Sequence, residues 1–198
     1  MIKLIQIAAG IAVGFVVLLC AGRWIAGNTA ATPPGFGVCA LPCFARARPG
    51  FSSADEARAA LRNLTESQGS ETATGSGVFV YATQQVQYRL TTRGGRFESL
   101  TIDSIQAPAL LTFGAMLLTL GAPRDLYFER FSGDKLYNVF ISYALATGNI
   151  TLRYRTSSLQ LTPALHADSI FITPPGAETR NYAGMSRMRW RGFGSFAQ

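Results

Sequence analysis

The stretch from Leu136 to Arg155, LYNVFISYALATGNITLRYR, is the clearest strand signal in the chain. Tyr137, Val139, Ile141, Tyr143 and Leu145 fall on one face at period two, and Ile150, Leu152 and Tyr154 alternate with Thr151, Arg153 and Arg155. That period predicts two half-buried antiparallel strands, with Gly148-Asn149 as the turn and the arginines shown to solvent.

Moving outward, Arg124 to Phe131 reads as a preceding strand with Gly133-Asp134 as its turn, and Ser169 to Thr173 as a closing strand before Pro174-Pro175. Upstream, Pro108 to Leu120 (PALLTFGAMLLTL) predicts an almost wholly apolar helix stopped by Gly121 and Pro123. Thirteen residues are too few to cross a bilayer, so we expect this helix at the centre of the core.

The first half repeats the order. Ser53-Ala-Asp-Glu56 is a capping box opening a helix over Phe51 to Gln68. Ala57, Ala60, Leu61 and Leu64 form its apolar stripe, while Asp55, Arg58, Arg62 and Glu66 face water and Gly69 stops it. Val78 to Tyr81 reads as a strand, and Val86 to Ile102 as a hairpin about Gly94-Gly95, since paired glycines supply the positive φ of a primed turn. Helix then hairpins, twice over, points to an internal duplication over Ser53–Ile105 and Pro108–Thr173. The expected fold class is α+β: an N-terminal transmembrane helix followed by two tandem helix-plus-antiparallel-meander units. The expected segments are 1–27 (anchor), 28–50 (linker and disulfide loop), 51–106 and 107–175 (the two units), and 176–198 (basic aromatic tail).

The anchor rests on Leu4 to Gly22, LIQIAAGIAVGFVVLLCAG, about the length needed to cross a hydrocarbon core. Lys3 precedes it and Arg23 and Trp24 follow, a slight lean towards an N-terminus inside the cell. A cleaved signal peptide is the competing reading, although the run exceeds the usual apolar core of such peptides. Cys20 follows Leu19, where a lipidation motif needs a small residue. Beyond the anchor, Asn28 to Gly50 is rich in proline and glycine and reads as a semi-stiff spacer ending in a loop. Cys39 and Cys43, four apart, suggest a structural disulfide; free thiols, a redox pair or half a metal site are the alternatives.

Two resemblances attach to these motifs. The segment LLTFGAMLLTLGAPRDLYF resembles the helix and following strand of the BamE/SmpA outer-membrane assembly lipoproteins and of the β-lactamase-inhibitory-protein-like fold, and two copies in tandem resemble the latter. Cys39-Ala-Leu-Pro-Cys43-Phe44, Arg48-Pro-Gly50, Glu56-Ala57, Leu61, the Leu120-Gly-Ala-Pro123 step and Trp190-Arg-Gly-Phe193 are similar to uncharacterised membrane-anchored envelope proteins of Chloroflexus-type bacteria. Those proteins usually carry a tryptophan where this chain has Phe44. The resemblance implies an anchored extracytoplasmic architecture and no assigned activity.

The chemistry on offer is sparse. Of 198 residues, 18 are Lys or Arg, only Lys3 and Lys135 being lysine, against 11 Asp or Glu, for a net charge of +7. The arginines are not interleaved with a nucleic-acid motif, so nucleic acid is not an expected partner. His166 is the single histidine; Gly75-Ser76-Gly77 lacks the helix a nucleophile elbow opens; no phosphate loop or paired carboxylates suited to acid–base work appear. Asn63-Leu-Thr65 and Asn149-Ile-Thr151 match the glycosylation pattern. The tail mixes Arg180, Arg187, Arg189 and Arg191 with Tyr182, Trp190, Phe193 and Phe196, which favours docking over disorder.

We therefore expect no catalysis, no cofactor and no metal. The expected role is a membrane-anchored extracytoplasmic interaction or scaffolding module with an envelope protein as partner. Arg153, Arg155, Arg187, Arg189, Trp190 and Arg191 are its candidate surface and Cys39–Cys43 its staple. A ligand-binding sensor, with an apolar pocket between the Pro108–Leu120 helix and the sheet, and an envelope hydrolase using His166 are the alternatives.

Overall fold

The computed structural model describes residues 35–36, 39, 41–65, 70–74, 77–104, 111–123, 125–130, 136–157, 160–177, 182, 184–192 and 194–195. All lie in one compact unit, Thr32–Gln198. Its elements in chain order are α1 (Ala54–Thr65), β1 (Ser70–Thr74), β2 (Val78–Ala82), β3 (Val86–Arg93), β4 (Arg96–Ser104), α2 (Phe113–Leu120), β5 (Asp125–Arg130), β6 (Tyr137–Leu145), β7 (Gly148–Thr156), β8 (Gln160–Leu161), β9 (Ala167–Thr173), β10 (Ser186–Arg189) and β11 (Gly194–Ser195). Nine strands form one antiparallel sheet in the order β1-β2-β3-β4-β9-β7-β6-β5-β10, and β8 pairs separately with β11.

Residues paired across a ladder point to the same side, so the registers sort the side chains. Tyr88 and Leu90 pair with Ile102 and Leu100, and those with Ile170 and Ile172. Ile172 and Ile170 pair in turn with Ile150 and Leu152, these with Tyr143 and Ile141, and Ile141 with Leu126. One apolar face thus runs across the sheet, and Leu90, Ile102, Ile141, Ile150, Leu152, Ile170 and Ile172 on it are wholly buried. Removing each such side chain from water contributes about 1.5–3 kcal/mol.

Three pieces cover that face. Helix α1 lies over β2–β4; Ser53 and Glu56 exchange the reciprocal capping bonds expected of them, at 2.9 and 3.2 Å, and Ala57 and Leu61 are buried. Arg58, expected to face water, instead lies over the Phe79 ring at 4.3 Å. Helix α2 sets Phe113 edge-on to Tyr154, ring centres 5.5 Å apart. The loop after Phe36 inserts Phe44 beside Tyr88 at 5.7 Å. Pro42 follows a cis peptide bond and sits where a Cβ on Gly148 would meet it at 2.6 Å. The expected spacer therefore ends in core: Phe36, Cys43, Phe44 and Ala47 are all buried.

The expected α+β pair of helix-plus-meander units is not what forms. Among the described residues the fold is predominantly one antiparallel sheet with two short helices of 12 and 8 residues. The reason lies in β9: expected to close the second unit, it bonds to β4 on one side and β7 on the other, so neither meander keeps an edge of its own there. No helix among the described residues is long and apolar enough to cross a membrane; the run Leu4 to Gly22, expected to be a transmembrane helix, lies outside the described residues.

Helix α2 also departs from expectation. It starts at Phe113 because Thr112 caps it, its hydroxyl accepting from the Ala115 N–H at 3.2 Å, while Phe113 and Gly114 donate their N–H groups to Leu165 and Pro163 carbonyls. It is peripheral: Phe113 and Met116 are its buried residues, and Leu118 is 58% exposed. Gly121 caps the far end as expected. Gly94-Gly95 forms the expected turn, φ 57 and 75, whereas Gly148-Asn149 does not. Ala146 and Thr147 turn the chain and Gly148 opens β7, where its missing side chain admits Pro42 and the Thr173 carbonyl. The Gly133-Asp134 turn and the segment 105–110 lie outside the described residues.

The core is thus centred on the strands and not on α2. Ile170→Ala should cost about 2–5 kcal/mol in urea unfolding, whereas Leu118→Ala should stay within about 0.5 kcal/mol.

Candidate interaction site

The second face of the sheet is the more polar one, and one row across it holds two of the six candidate surface residues, Arg153 and Arg187. The registers place Arg187, Tyr127, Phe140, Arg153, Ser169, Asp103 and Gln87 side by side, from β10 through β5, β6, β7, β9 and β4 to β3. Arg153 and Arg187 are three strands apart, roughly 14 Å at the usual strand spacing. They form two separate sites.

Arg153 is not displayed to solvent as its alternation suggested. Its Nε donates to Asp168 Oδ1 at 2.9 Å and its Nη2 to Ser169 Oγ at 2.5 Å, with Asp103 Oδ1 at 3.9 Å. Ser169, wholly buried, donates onward to Asp103 at 2.5 Å. The bulge between Arg153 and Tyr154 turns Asp168 towards both arginines, and Arg155, half-exposed, reaches Asp168 Oδ2 at 3.5 Å. Two guanidinium groups face two carboxylates, so the ladder is locally neutral. The network ties β7 to β9 and β9 to β4, across the join between the chain's two halves. Asp103, Asp168 and Ser169 were missed by sequence reasoning, which had no way to see partners 15 to 66 residues apart.

The tail docks on both faces. Tyr182 stacks on Tyr127, ring centres 3.9 Å apart and 11° from parallel, beside Phe140, and its hydroxyl lies 2.7 Å from Ser142 Oγ. Strand β10 then extends the sheet edge at β5, where Arg187 Nη2 donates to Asp125 Oδ2 at 2.6 Å. That bond, reinforced by the carboxylate's charge, raises the Arg187 pKa. Beyond β10, Trp190 crosses to the apolar side and meets Phe113 edge-on at 5.1 Å. Arg189 and Arg191 remain exposed. Phe193, expected to dock with Trp190, and Phe196 lie outside the described residues.

Cys39 and Cys43 are joined in a disulfide, with Cys43 buried. Among the described residues, no group of three or more His, Cys, Asp or Glu side chains converges as a metal site would require. His166 is exposed, its backbone bridged to Thr112. The nearest serine after it in the chain, Ser169, is sealed beneath Arg153, where no substrate reaches its hydroxyl. Burial pushes the Tyr88, Tyr143 and Tyr154 phenols above their ordinary 10.0, and Tyr143 adds to the shift of Tyr154. They are core groups that burial keeps neutral.

Two outcomes follow from these environments. Arg153→Ala should cost about 1–3 kcal/mol and couple to Asp168→Ala in a double-mutant cycle, while Arg155→Ala should cost under about 1 kcal/mol. Raised phenol pKa values mean that the unfolded chain releases these protons first, so stability is fully present below pH 10.0 and falls as pH rises beyond it. Absorbance at 295 nm should show these phenols ionising together with loss of the near-ultraviolet circular dichroism, not before it.

No described protein family, curated protein or solved structure matches this chain.

Proposed function

We propose that the chain is an extracytoplasmic interaction or scaffolding module held at the cell membrane through the apolar run Leu4 to Gly22, with an envelope protein as its partner. The Cys39–Cys43 disulfide carries the reading, because such bonds persist in oxidising compartments outside the cytoplasm. The length of the apolar run supports the attachment, and the resemblance of the Cys39–Cys43 and Trp190–Phe193 motifs to anchored envelope proteins agrees with it.

Within this reading the contact surface is the β10 edge and the chain beyond it. Arg189 and Arg191 are exposed there, and Arg187, although held by Asp125, is itself more than half exposed. Arg153 is withdrawn from the role by its two carboxylates. Trp190 is likewise occupied, against Phe113, and acts by fixing the edge in place. The role asks for no cofactor and no bond-making step.

The test is protease and thiol-reagent accessibility on intact cells, followed by mass analysis of the mature chain. We expect cleavage from outside, an intact N-terminus, and labelling of Cys39 and Cys43 after reduction alone. A protected domain with freely labelled thiols would place it in the cytoplasm and overturn the reading.

A further inference from the structure

The corner through which the chain enters the domain carries the most exposed large apolar side chain among the described residues, Phe51, at 63%. Just before it, Phe44 and Ala47 exchange backbone bonds at 2.9 and 2.8 Å across a two-residue turn whose central residues, Ala45 and Arg46, both take left-handed backbone, φ 49 and 71. Such turns are usually built from Asn-Gly, because most side chains are strained there. Phe44 and Ala47 are buried on either side and Cys43 is tied to Cys39, so the strained tip is firmly held, and it shows solvent an arginine.

Arg48 follows, and its carbonyl accepts from the Phe51 and Ser52 N–H groups at 3.2 and 2.9 Å, which folds Phe51 back into the same turn. The next residues lie along the start of β4: Gly50 donates to the Phe97 carbonyl, Phe97 to that of Ser52 and Ala54 to that of Gly95, while Ser53 bridges Arg96. A Cβ on Gly50 would meet Pro174, at the end of β9, at 2.8 Å. Arg46, Arg48, Phe51 and Arg96 thus share one end of the sheet, all four exposed. The carboxylates nearby are already committed: Glu98 pairs with Arg93 at 3.2 Å, Glu56 accepts from the Ser53 N–H at 2.9 Å, and Asp55 lies 3.7 Å from Arg58. Among the described residues Arg46, Arg48 and Arg96 have no ion pair.

An apolar ring among three unmatched guanidinium groups fits a surface that is anionic outside and hydrocarbon beneath. A single nucleic-acid strand also stacks on rings; what favours the bilayer is the chain itself. Gly35 stands thirteen positions after Gly22, so a chain anchored through Leu4 to Gly22 keeps Gly35 within about 45 Å of the membrane. We propose that this corner docks on anionic phospholipid, with Phe51 at the headgroup boundary and Arg46, Arg48 and Arg96 on the phosphates. The nearness of the bilayer rests on the anchored reading; the chemistry of the corner does not.

The full chain carrying Trp24→Phe would be reconstituted into phosphatidylcholine vesicles, with or without phosphatidylglycerol, whose acyl chains are brominated near the headgroups. Phe51→Trp would be compared with Gln85→Trp, an exposed position beyond the far end of β3, about 25 Å along the strand. We expect bromine to quench the indole at position 51 only where phosphatidylglycerol is present, and the indole at position 85 in neither. Raising salt from about 0.1 to about 1 M, which shortens screening from about 10 to about 3 Å, should release it. Each arginine at such a surface contributes about fivefold, so Arg46→Gly, Arg48→Gln and Arg96→Gln together should weaken the contact roughly a hundredfold. Arg46→Gly relieves the left-handed strain, so alone it should lower quenching while leaving the urea midpoint unchanged or raised, which a purely structural arginine would not do. Equal quenching with and without phosphatidylglycerol, equal quenching at positions 51 and 85, or none at all would overturn the docking. Flotation with phosphatidylcholine alone reports the anchor separately. A chain that does not float there yet is quenched on the anionic vesicles sinks the anchor and keeps this inference; one that floats but is quenched on neither does the reverse.

Discussion

The structure depends on the double pairing of β9. This strand satisfies the backbone of β4 on one side and β7 on the other, and in doing so converts two meanders into one sheet. Buried backbone donors and acceptors need partners as much as apolar side chains need cover. With β9 in the middle both demands are met at once, for Ile170 and Ile172 continue the apolar row while their N–H and C=O groups bond sideways. The arginine network reinforces the same join from the opposite face, where Ser169 and Asp168 of β9 hold Arg153 of β7 and Ser169 holds Asp103 of β4.

One continuous apolar face requires a great deal of cover, and two short helices do not supply all of it. The chain recruits its ends. Phe36 and Phe44 are brought in by the disulfide-closed loop, and Trp190 returns from the tail to lie on Phe113. Segments rich in proline, glycine and arginine, which composition alone would make linkers, thereby become structural. The polar face gains cover from the tail as well, since Tyr182 lies against Phe140, a wholly buried aromatic on the more polar side.

Charge is handled locally. A net charge of +7 suggests a broadly attractive surface for anions, but the arginines nearest the sheet centre are matched to carboxylates on neighbouring strands. The exposed cations of β10 and beyond, Arg189 and Arg191, sit instead at the sheet edge, where β10 pairs with β5.

What the residues determined by themselves was local. The capping box at Ser53, the stripe of Ala57 and Leu61, the Gly94-Gly95 turn, the alternation from Val139 to Tyr154 and the stop at Gly121 all follow from interactions within a few positions, and they are legible for that reason. The link from Cys39 to Cys43 belongs with them. What only the tertiary structure decided was where those pieces went: β9 into the middle of the sheet, α2 to the rim, the loop after Phe36 into the core, and Arg153 into the embrace of Asp103 and Asp168. Each of these depends on strand order, and strand order is set by pairings between residues tens of positions apart, to which hydrophobic period is blind. A period tells which face of a strand is buried; it does not tell which strand lies beside it.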